Sequence, residues 1–190
     1  MNDELVFSYL KNLLKKIVSK RRLQHILGTS ELASSLSITY RIDSNNAKMA
    51  SFGHDLFRDI EPYRLLLMFR GYGEKENKFE RKEPILLHGK VAALYLKKRF
   101  DIHEDILDAI YWHVTGHRKL SKIGKILMIA DIAEKNRPFS VSKEIRKIAF
   151  EDLDRAYKMT LSSKIEWALK DNSFLLPEIV ETWNYIQGGA

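Results

Sequence analysis

The stretch "ILMIADIA", residues 126–133, is apolar on nearly every side apart from Asp131. A helix that is hydrophobic all round is typical of a protein core, so this segment is expected to be buried. Ile123 and Leu127 precede Asp131 on the same side of the helix. Because a lone buried carboxylate carries a large desolvation penalty, Asp131 needs a partner. The stretch therefore predicts a core helix that carries a paired carboxylate.

The rest of the chain repeats the helical period. Apolar residues recur at spacings of three and four, and no Asn-Gly or Asp-Gly hairpin signal separates alternating segments. Glycine, proline and short polar runs interrupt the pattern. We therefore predict an all-α fold. The predicted helices are 5–18, 23–36, 47–56, 62–69, 85–100, 106–113, 123–133, 145–169 and 179–186.

Composition limits the class of protein. A chain of 190 residues with 45% hydrophobic content can bury one substantial core, which favours a single domain. The absence of cysteine excludes disulfides, thiolate metal sites and thiol catalysis. The start "MNDELVFSYLKNLL" lacks a signal pattern, and no apolar run approaches the roughly 20 residues of a membrane span. We expect a soluble cytoplasmic protein without a membrane partner.

The net charge of +7 indicates a preference for anions, either nucleic acid, a membrane surface or a phosphorylated small molecule. Charge alone does not choose among them. The basic residues are spread along the chain without the aromatic interleaving of single-strand binders. Nucleic acid is therefore not favoured, and most of these residues are expected on solvated helix faces.

A second unusual stretch is "FGHDLF", residues 52–57, which places His54 and Asp55 side by side in an apolar segment. Two buried polar groups cost several kcal/mol, on the order of 2–7 each, unless they are paired. The pair must therefore either face solvent or hold a cation.

The same question arises at His25, which lies one turn after Arg22, and at His88 and His113, which share helix faces with apolar residues. Taken singly, each is most simply a hydrogen-bonded core histidine. Together with His54, Asp55 and Asp131 they place four imidazoles and two carboxylates on the inward faces of five helices. This ligand set suits iron, manganese or zinc.

The order of His25, the His54–Asp55 pair and Asp131 resembles the HD-domain phosphohydrolases, in particular the YqeK group of symmetrical bis(5′-nucleosyl)-tetraphosphatases. The resemblance implies a helical HD-domain bundle with a metal site between its core helices. It also implies one domain over 1–190, with a core of about 19–140 onto which helices 3–18 and 142–187 pack. The matching stretches are "RRLQHILGT", "GHDLFRD", "LLHGKVAA", "HVTG", "KILMIADIAEKNR" and "EIVETWNYI".

The resemblance also implies the metal ligands. They are His25, His54, Asp55 and Asp131, with His88 and His113 as ligands of a second ion or as groups that contact the phosphates. The cofactor is then a divalent or trivalent transition metal, with iron favoured over manganese and zinc.

The implied reaction is hydrolysis of diadenosine tetraphosphate into two ADP, by attack of a metal-activated water on phosphorus. Catalytic roles fall to Asp55, Asp59, His88 and His113. If its helix continues, Asp59 lies one turn below Asp55 and either orients the water or braces Arg58. Substrate contacts fall to Arg22, His25, Arg58, His88, His113 and Arg137.

Three other functions remain open at this point. An HD phosphohydrolase acting on nucleoside monophosphates, nucleoside triphosphates or cyclic nucleotides would use the same metal core. A regulatory HD domain would bind a nucleotide without turnover. A basic nucleic-acid module would bind DNA or RNA with steep salt dependence and would not depend on His54.

Overall fold

The computed structural model describes residues 3–188, and this range contains eleven α-helices, one short 3-10 helix at Pro84–Leu87 and no strand. The all-α prediction is confirmed. No helix in this range combines the length and the apolar character needed to cross a membrane. The helices are α1 Asp3–Ile17, α2 Lys20–Thr39, α3 Ser44–His54, α4 Pro62–Gly71, α5 Lys78–Lys82, α6 His88–Arg99, α7 Glu104–Trp112, α8 Lys122–Ala133, α9 Ser140–Ala149, α10 Leu153–Lys170 and α11 Pro177–Ile186.

Helix α8, which contains the "ILMIADIA" stretch, is the centre of the bundle. Ten of its 12 residues are buried. It packs against α2, α3, α7, α9 and α10. Because other helices pack against α8 on every side, its apolar surface is shielded from solvent and the helix needs no polar face.

Two hydrophobic clusters meet at α8. One cluster is built from α1, α3, α4, α6 and α7 and includes Ile123 and Leu127 of α8. The other is built from the second half of α2 with α9, α10 and α11, and it includes Ile126 and Met128 of α8. The polar residues of "FGHDLF" and the other inward histidines lie along the seam between the clusters, where helices from both sides converge.

The predicted helix 145–169 is wrong, because two helices occupy this region. Helix α9 ends at Ala149 and α10 begins at Leu153. The break falls at Asp152, whose side chain accepts the Arg155 N–H at 2.9 Å and thereby caps α10. An aspartate that satisfies a free N–H group in this way stabilises a helix start.

The predicted helix 47–56 is also displaced. Helix α3 begins earlier, at Ser44, and ends at His54, after which Asp55 forms its C-terminal cap in a turn that extends to Asp59. The condition under which Asp59 would lie one helical turn below Asp55 is therefore not met.

The segment between α4 and α6 contains structure that periodicity did not predict. Asn77 and Glu80 form a reciprocal capping box at the start of α5, and the predicted helix 85–100 begins with the 3-10 turn before α6. The capping box, and not an apolar stripe, marks the start of the short helix α5. The predicted division into a core of about 19–140 with packed terminal helices stays a prediction.

Candidate metal centre

Six buried side chains from five parts of the fold converge at the seam. His25 comes from α2, His54 from the end of α3, His88 from the start of α6, and Asp131 from α8. Asp55 and His113 follow directly after α3 and α7. The structure thus brings together the four predicted metal ligands and the two histidines that were predicted as ligands of a second ion or as phosphate contacts.

The six candidate ligands form two groups of three. His25, His54 and Asp131 make one group, and Asp55, His88 and His113 make the other, with the ligand atoms of each group within 4.8 Å of one another. The groups adjoin through Asp55, since its Oδ2 lies 3.5 Å from His54 Nε2 and 3.7 Å from His25 Nε2. Its Oδ1 lies 3.2 Å from His88 Nε2. Asp55 can therefore contribute an oxygen to both groups.

Three of the histidines have a defined orientation. In His54, His88 and His113, Nδ1 lies 2.7 Å from the carbonyl oxygen of the residue three positions earlier. A carbonyl only accepts hydrogen bonds, so Nδ1 carries the proton and Nε2 presents a lone pair to the site. A backbone carbonyl that fixes the tautomer in this way is typical of metal-ligating histidines. The three acceptors are Ser51, Ile85 and Ile110.

The Nε2 lone pairs of His54, His88 and His113 receive no hydrogen bond from one another. His54 Nε2 is buried and has no hydrogen-bond partner within the described range. His88 Nε2 and His113 Nε2 face each other at 3.0 Å, although both are acceptors in this tautomer. Since Asp55 and Asp131 add further acceptor oxygens, the site has a surplus of lone pairs that a cation would satisfy. The residues present therefore fit a transition-metal ion.

Burial and neighbouring charges set the protonation states. Burial lowers the pKa of His54, and burial together with the His88 imidazole lowers the pKa of His113 well below its usual range. Burial would raise the pKa of Asp55, but His54 and His88 more than offset it and hold that pKa well below its usual value. Neutral imidazoles beside ionised carboxylates are the forms that bind metal.

Close packing places His113 within reach of His88. Gly89 follows His88 at the start of α6, and a Cβ atom on Gly89 would lie 2.6 Å from His113 Cε1 and 2.7 Å from the Ile110 carbonyl oxygen. Only glycine allows α6 to approach the end of α7 this closely. The local sequence "LLHGK" thus provides a ligand and also the space for its partner.

His25 is held differently, by a residue that sequence reasoning missed. Its Nδ1 lies 3.4 Å from Oε1 of Glu134, and its Nε2 lies 3.1 Å from Asp131 Oδ1. Glu134 is 1% exposed and follows the last residue of α8. Its position three residues after Asp131 was a usable signal, because residues at that spacing lie on one face of a helix.

Lys164 of α10 is the second missed residue. Its Nζ lies 3.7 Å from Asp131 Oδ2, and its side chain is 16% exposed. Burial would raise the pKa of Asp131, but the His25 hydrogen bond and the charges of Lys164 and Arg137 hold that pKa well below its usual value. No local pattern distinguishes Lys164 from the solvent-facing lysines of an amphipathic helix.

Two of the predicted arginines border the ligands. Arg22 Nη1 contacts Asp55 Oδ2, and Arg137 Nη2 lies 2.7 Å from Asp131 Oδ1 and 3.2 Å from His25 Nε2. Their side chains are 24% and 29% exposed, so they stand between the buried ligands and solvent.

Arg58 and Asp59 lie outside this group. The Arg58 side chain is half-buried and makes no hydrogen bond or ion pair with another residue in 3–188. Asp59 accepts the Ser19 N–H at 2.8 Å and lies 3.6 Å from Arg22 Nε. Asp59 therefore braces Arg22, and it does not contact Arg58 as the sequence suggested.

Comparison with known proteins agrees with this arrangement. A family model described as "HD domain" matches residues 22–136, a range that contains all six candidate ligands. A Halalkalibacterium halodurans protein named "Bis(5′-nucleosyl)-tetraphosphatase, symmetrical" is 33% identical over 92% of this chain and 93% of its own length. The Bacillus subtilis protein of the same name is 26% identical over 93% of this chain and 95% of its own length.

A solved structure is similar as well. It is the 1.50 Å crystal structure of a Clostridium acetobutylicum protein named "predicted HD superfamily hydrolase involved in NAD metabolism". The TM-score is 0.91 at 28% identity, covering 97% of this chain and 98% of the other. The chain belongs to the HD-domain family.

Proposed function

We propose that this protein is a metal-dependent hydrolase that cleaves diadenosine tetraphosphate into two ADP. The observation that carries the proposal is the surplus of acceptors in the two ligand groups, above all the paired Nε2 atoms of His88 and His113 beside Asp55. The names of the H. halodurans and B. subtilis relatives support the substrate. When bound, the metal supplies a water molecule whose pKa is lowered toward about 7, which is a nucleophile near neutral pH.

The metal ligands in this proposal are His25, His54, Asp55 and Asp131, and iron is the favoured ion with manganese and zinc as alternatives. His88 and His113 hold a second ion. Their Nε2 atoms carry no proton, so they suit ligation better than hydrogen-bond donation to phosphate. Burial, which lowers the pKa of His113, opposes the protonation that an acid role would need.

The chain's own cations bind the polyphosphate. Arg22 and Arg137 border a polar cavity of about 300 Å³, where their remaining N–H groups can contact phosphate oxygens. Asp59 fixes Arg22 through the contacts described above and so acts as a positioning residue. Arg58 is proposed as a further phosphate contact on the strength of the family resemblance alone. The activity is proposed for the cytoplasm, which suits a chain that has no cysteine.

The test combines metal analysis with chromatography of the products from diadenosine tetraphosphate. We expect wild type to retain metal and to yield two ADP, and Asp55→Ala to lose both properties. Asp154→Asn is the matched control, because Asp154 is 78% exposed on α10, where its carboxylate forms an ion pair with Lys125. AMP plus ATP as products would contradict the symmetric cleavage, and full activity in Asp55→Ala would contradict the metal centre.

A second candidate is hydrolysis of another nucleotide on the same centre. The name of the C. acetobutylicum protein refers to NAD metabolism, and this supports a nucleotide other than diadenosine tetraphosphate as the second candidate substrate. A panel of nucleoside mono- and triphosphates, cyclic nucleotides and dinucleoside polyphosphates, with identification of each product, separates the two candidates.

A further inference from the structure

A cavity of about 430 Å³ reaches the candidate metal centre from the side of α10. Phe139, Trp167 and Phe174 contribute aromatic rings to its lining. Phe139 and Phe174 are 42% and 37% exposed, and the Phe139 and Trp167 ring centroids lie 4.8 Å apart at 42°. Flat apolar rings at the mouth of a cavity of this size offer stacking surfaces to a planar ligand.

The inner end of this aromatic cavity is charged. Asp131, Arg137 and Lys164 line it, and Lys164 Nζ lies 3.7 Å from Asp131 Oδ2. The cavity thus combines partly exposed aromatic rings with charged groups that include two cations, Arg137 and Lys164, and two carboxylates, Asp131 and Glu83. A nucleotide is complementary to this lining, because it has a flat base at one end and anionic phosphate at the other.

The polar cavity beside Arg137 has a different lining. Its residues are all polar or charged, and none carries an aromatic carbocycle. The Arg137 guanidinium contacts both Asp131 and His25, and it lines both cavities. The two spaces therefore adjoin at Arg137. The polar cavity is lined by Ser19, Arg21, Arg22, His25, Asp59 and Arg137.

We propose that the two halves of the symmetric substrate are recognised unequally, with one nucleoside stacked in the aromatic cavity and the other half held only through its phosphates. Lys164 contacts the phosphates of the stacked half. This inference rests on the proposed function, because it assigns subsites for that substrate. Base stacking is tolerant of base identity, so the aromatic cavity favours a nucleoside without selecting one base strictly.

A consequence is that a substrate with a single nucleoside suffices. Adenosine 5′-tetraphosphate is expected to bind with its base in the aromatic cavity and to be cleaved into ADP and pyrophosphate. In this step the oxygen of water bonds to one of the two central phosphorus atoms. The bridging oxygen leaves with the other phosphorus, and the protons of the water pass to the phosphate products or to solvent.

Binding to the metal-loaded protein tests the subsites without turnover. Calorimetry is done with ADP and with inorganic tripolyphosphate, which lacks a nucleoside. Trp167→Ala is expected to weaken ADP about tenfold or more, as loss of a stacking ring typically does, and to leave tripolyphosphate unchanged. Trp167→Phe, which keeps a ring, restores most of the ADP affinity. Equal ADP affinity in Trp167→Ala and wild type would overturn the proposal.

Lys164→Met tests the inner end of the aromatic cavity. It is expected to weaken both ADP and tripolyphosphate severalfold, since it removes a phosphate contact. Lys158→Met is the matched control on the same helix, because Lys158 is exposed and contacts Gln187. Unchanged binding of both probes in Lys164→Met would remove Lys164 from the proposal, and circular dichroism of each variant excludes misfolding as the cause of a loss.

Steady-state kinetics with diadenosine tetraphosphate and adenosine 5′-tetraphosphate test whether the two halves of the substrate are recognised unequally. The KM of adenosine 5′-tetraphosphate is expected to lie within a fewfold of that of diadenosine tetraphosphate, and Trp167→Ala should raise both by the same factor. A KM more than tenfold higher for the single-nucleoside substrate would overturn the proposal.

The two proposals can fail separately. If ADP binding depends on Trp167 but no hydrolysis occurs, the proposed function fails and the subsite stands. If hydrolysis occurs without that dependence, only the subsite fails.

Discussion

Buried acidic residues occur in two regions of this molecule, and their surroundings differ. Between α4 and α6, Glu76 and Glu80 are 5% and 3% exposed. Glu76 accepts hydrogen bonds from Arg70 at 2.6 Å and 3.1 Å and from Arg81 at 3.0 Å. Glu80 lies 2.7 Å from Lys90 Nζ and accepts the Asn77 N–H. Both buried carboxylates of this segment, which we call the structural region, therefore face donors.

At the candidate metal centre the balance is reversed. Asp55 faces the Nε2 lone pairs of His54 and His88, and the cations beside Asp55 and Asp131 are Arg22, Arg137 and Lys164. Burial is similar in the two regions, so burial by itself does not identify function. What distinguishes the candidate metal centre is an excess of acceptors over donors among its imidazoles, which a bound cation would satisfy.

The largest effect is expected from breaking the metal centre itself. Asp131→Asn replaces an anionic ligand by a neutral amide, and hydrolysis should fall by more than the roughly 100-fold that loss of an outer-shell partner typically causes. Metal content after dialysis should fall with it. Glu76→Gln, in the structural region, should leave turnover unchanged. Wild-type turnover in Asp131→Asn would contradict the conclusion that the two regions differ in function.

The next effect is on stability in the structural region. Lys90→Met leaves the Glu80 carboxylate buried without its cation, since the two side chains are 12% and 4% exposed. The free energy of unfolding should fall by about 3 kcal/mol, measured by urea denaturation. The double variant Glu80→Gln/Lys90→Met should recover most of this loss while the metal content stays constant. If the double variant is no more stable than the single one, the ion pair is not what stabilises this segment.

A smaller effect is expected from the outer shell of the metal centre. Glu134→Gln keeps the shape of the side chain but removes the charge beside His25 Nδ1, which should weaken metal binding about 10- to 100-fold. Competition with a chelator measures the affinity. Glu31→Gln is the control, since Glu31 is 63% exposed on α2 and contacts Lys135. Equal affinities in both variants would show that Glu134 does not orient His25.

The smallest expected effect is a change with pH in the stability that the Glu76 ion pairs of the structural region contribute. Hydrogen bonds from Arg70 lower the pKa of Glu76 from its usual 4.5 to about 2. Because the folded-state value is the lower one, the stabilisation is present above pH 4.5 and is lost as the pH falls toward 2. Glu76→Gln should therefore be less stable than wild type at neutral pH, and the difference should shrink on acidification. Denaturation curves at several pH values measure it, and a pH-independent difference would contradict the ion-pair explanation.

The candidate centre was partly predictable. His25, His54, Asp55, His88, His113 and Asp131 were identified because each placed a polar group on an otherwise apolar helix face. Such a mismatch is visible within a few residues of chain. Their division into two groups of three was not predictable, because it depends on how five elements pack against one another.

The sequence alone determined the all-α fold, the burial of "ILMIADIA" and the identities of the candidate ligands, since helical periodicity and local polarity belong to neighbouring residues. The tertiary structure decided what local signals do not carry. It turned Asp59 toward Arg22 and brought Glu134 and Lys164 to the candidate ligands. It also joined Phe139, Trp167 and Phe174 around one cavity. These arrangements depend on contacts between distant segments, and only packing sets those distances.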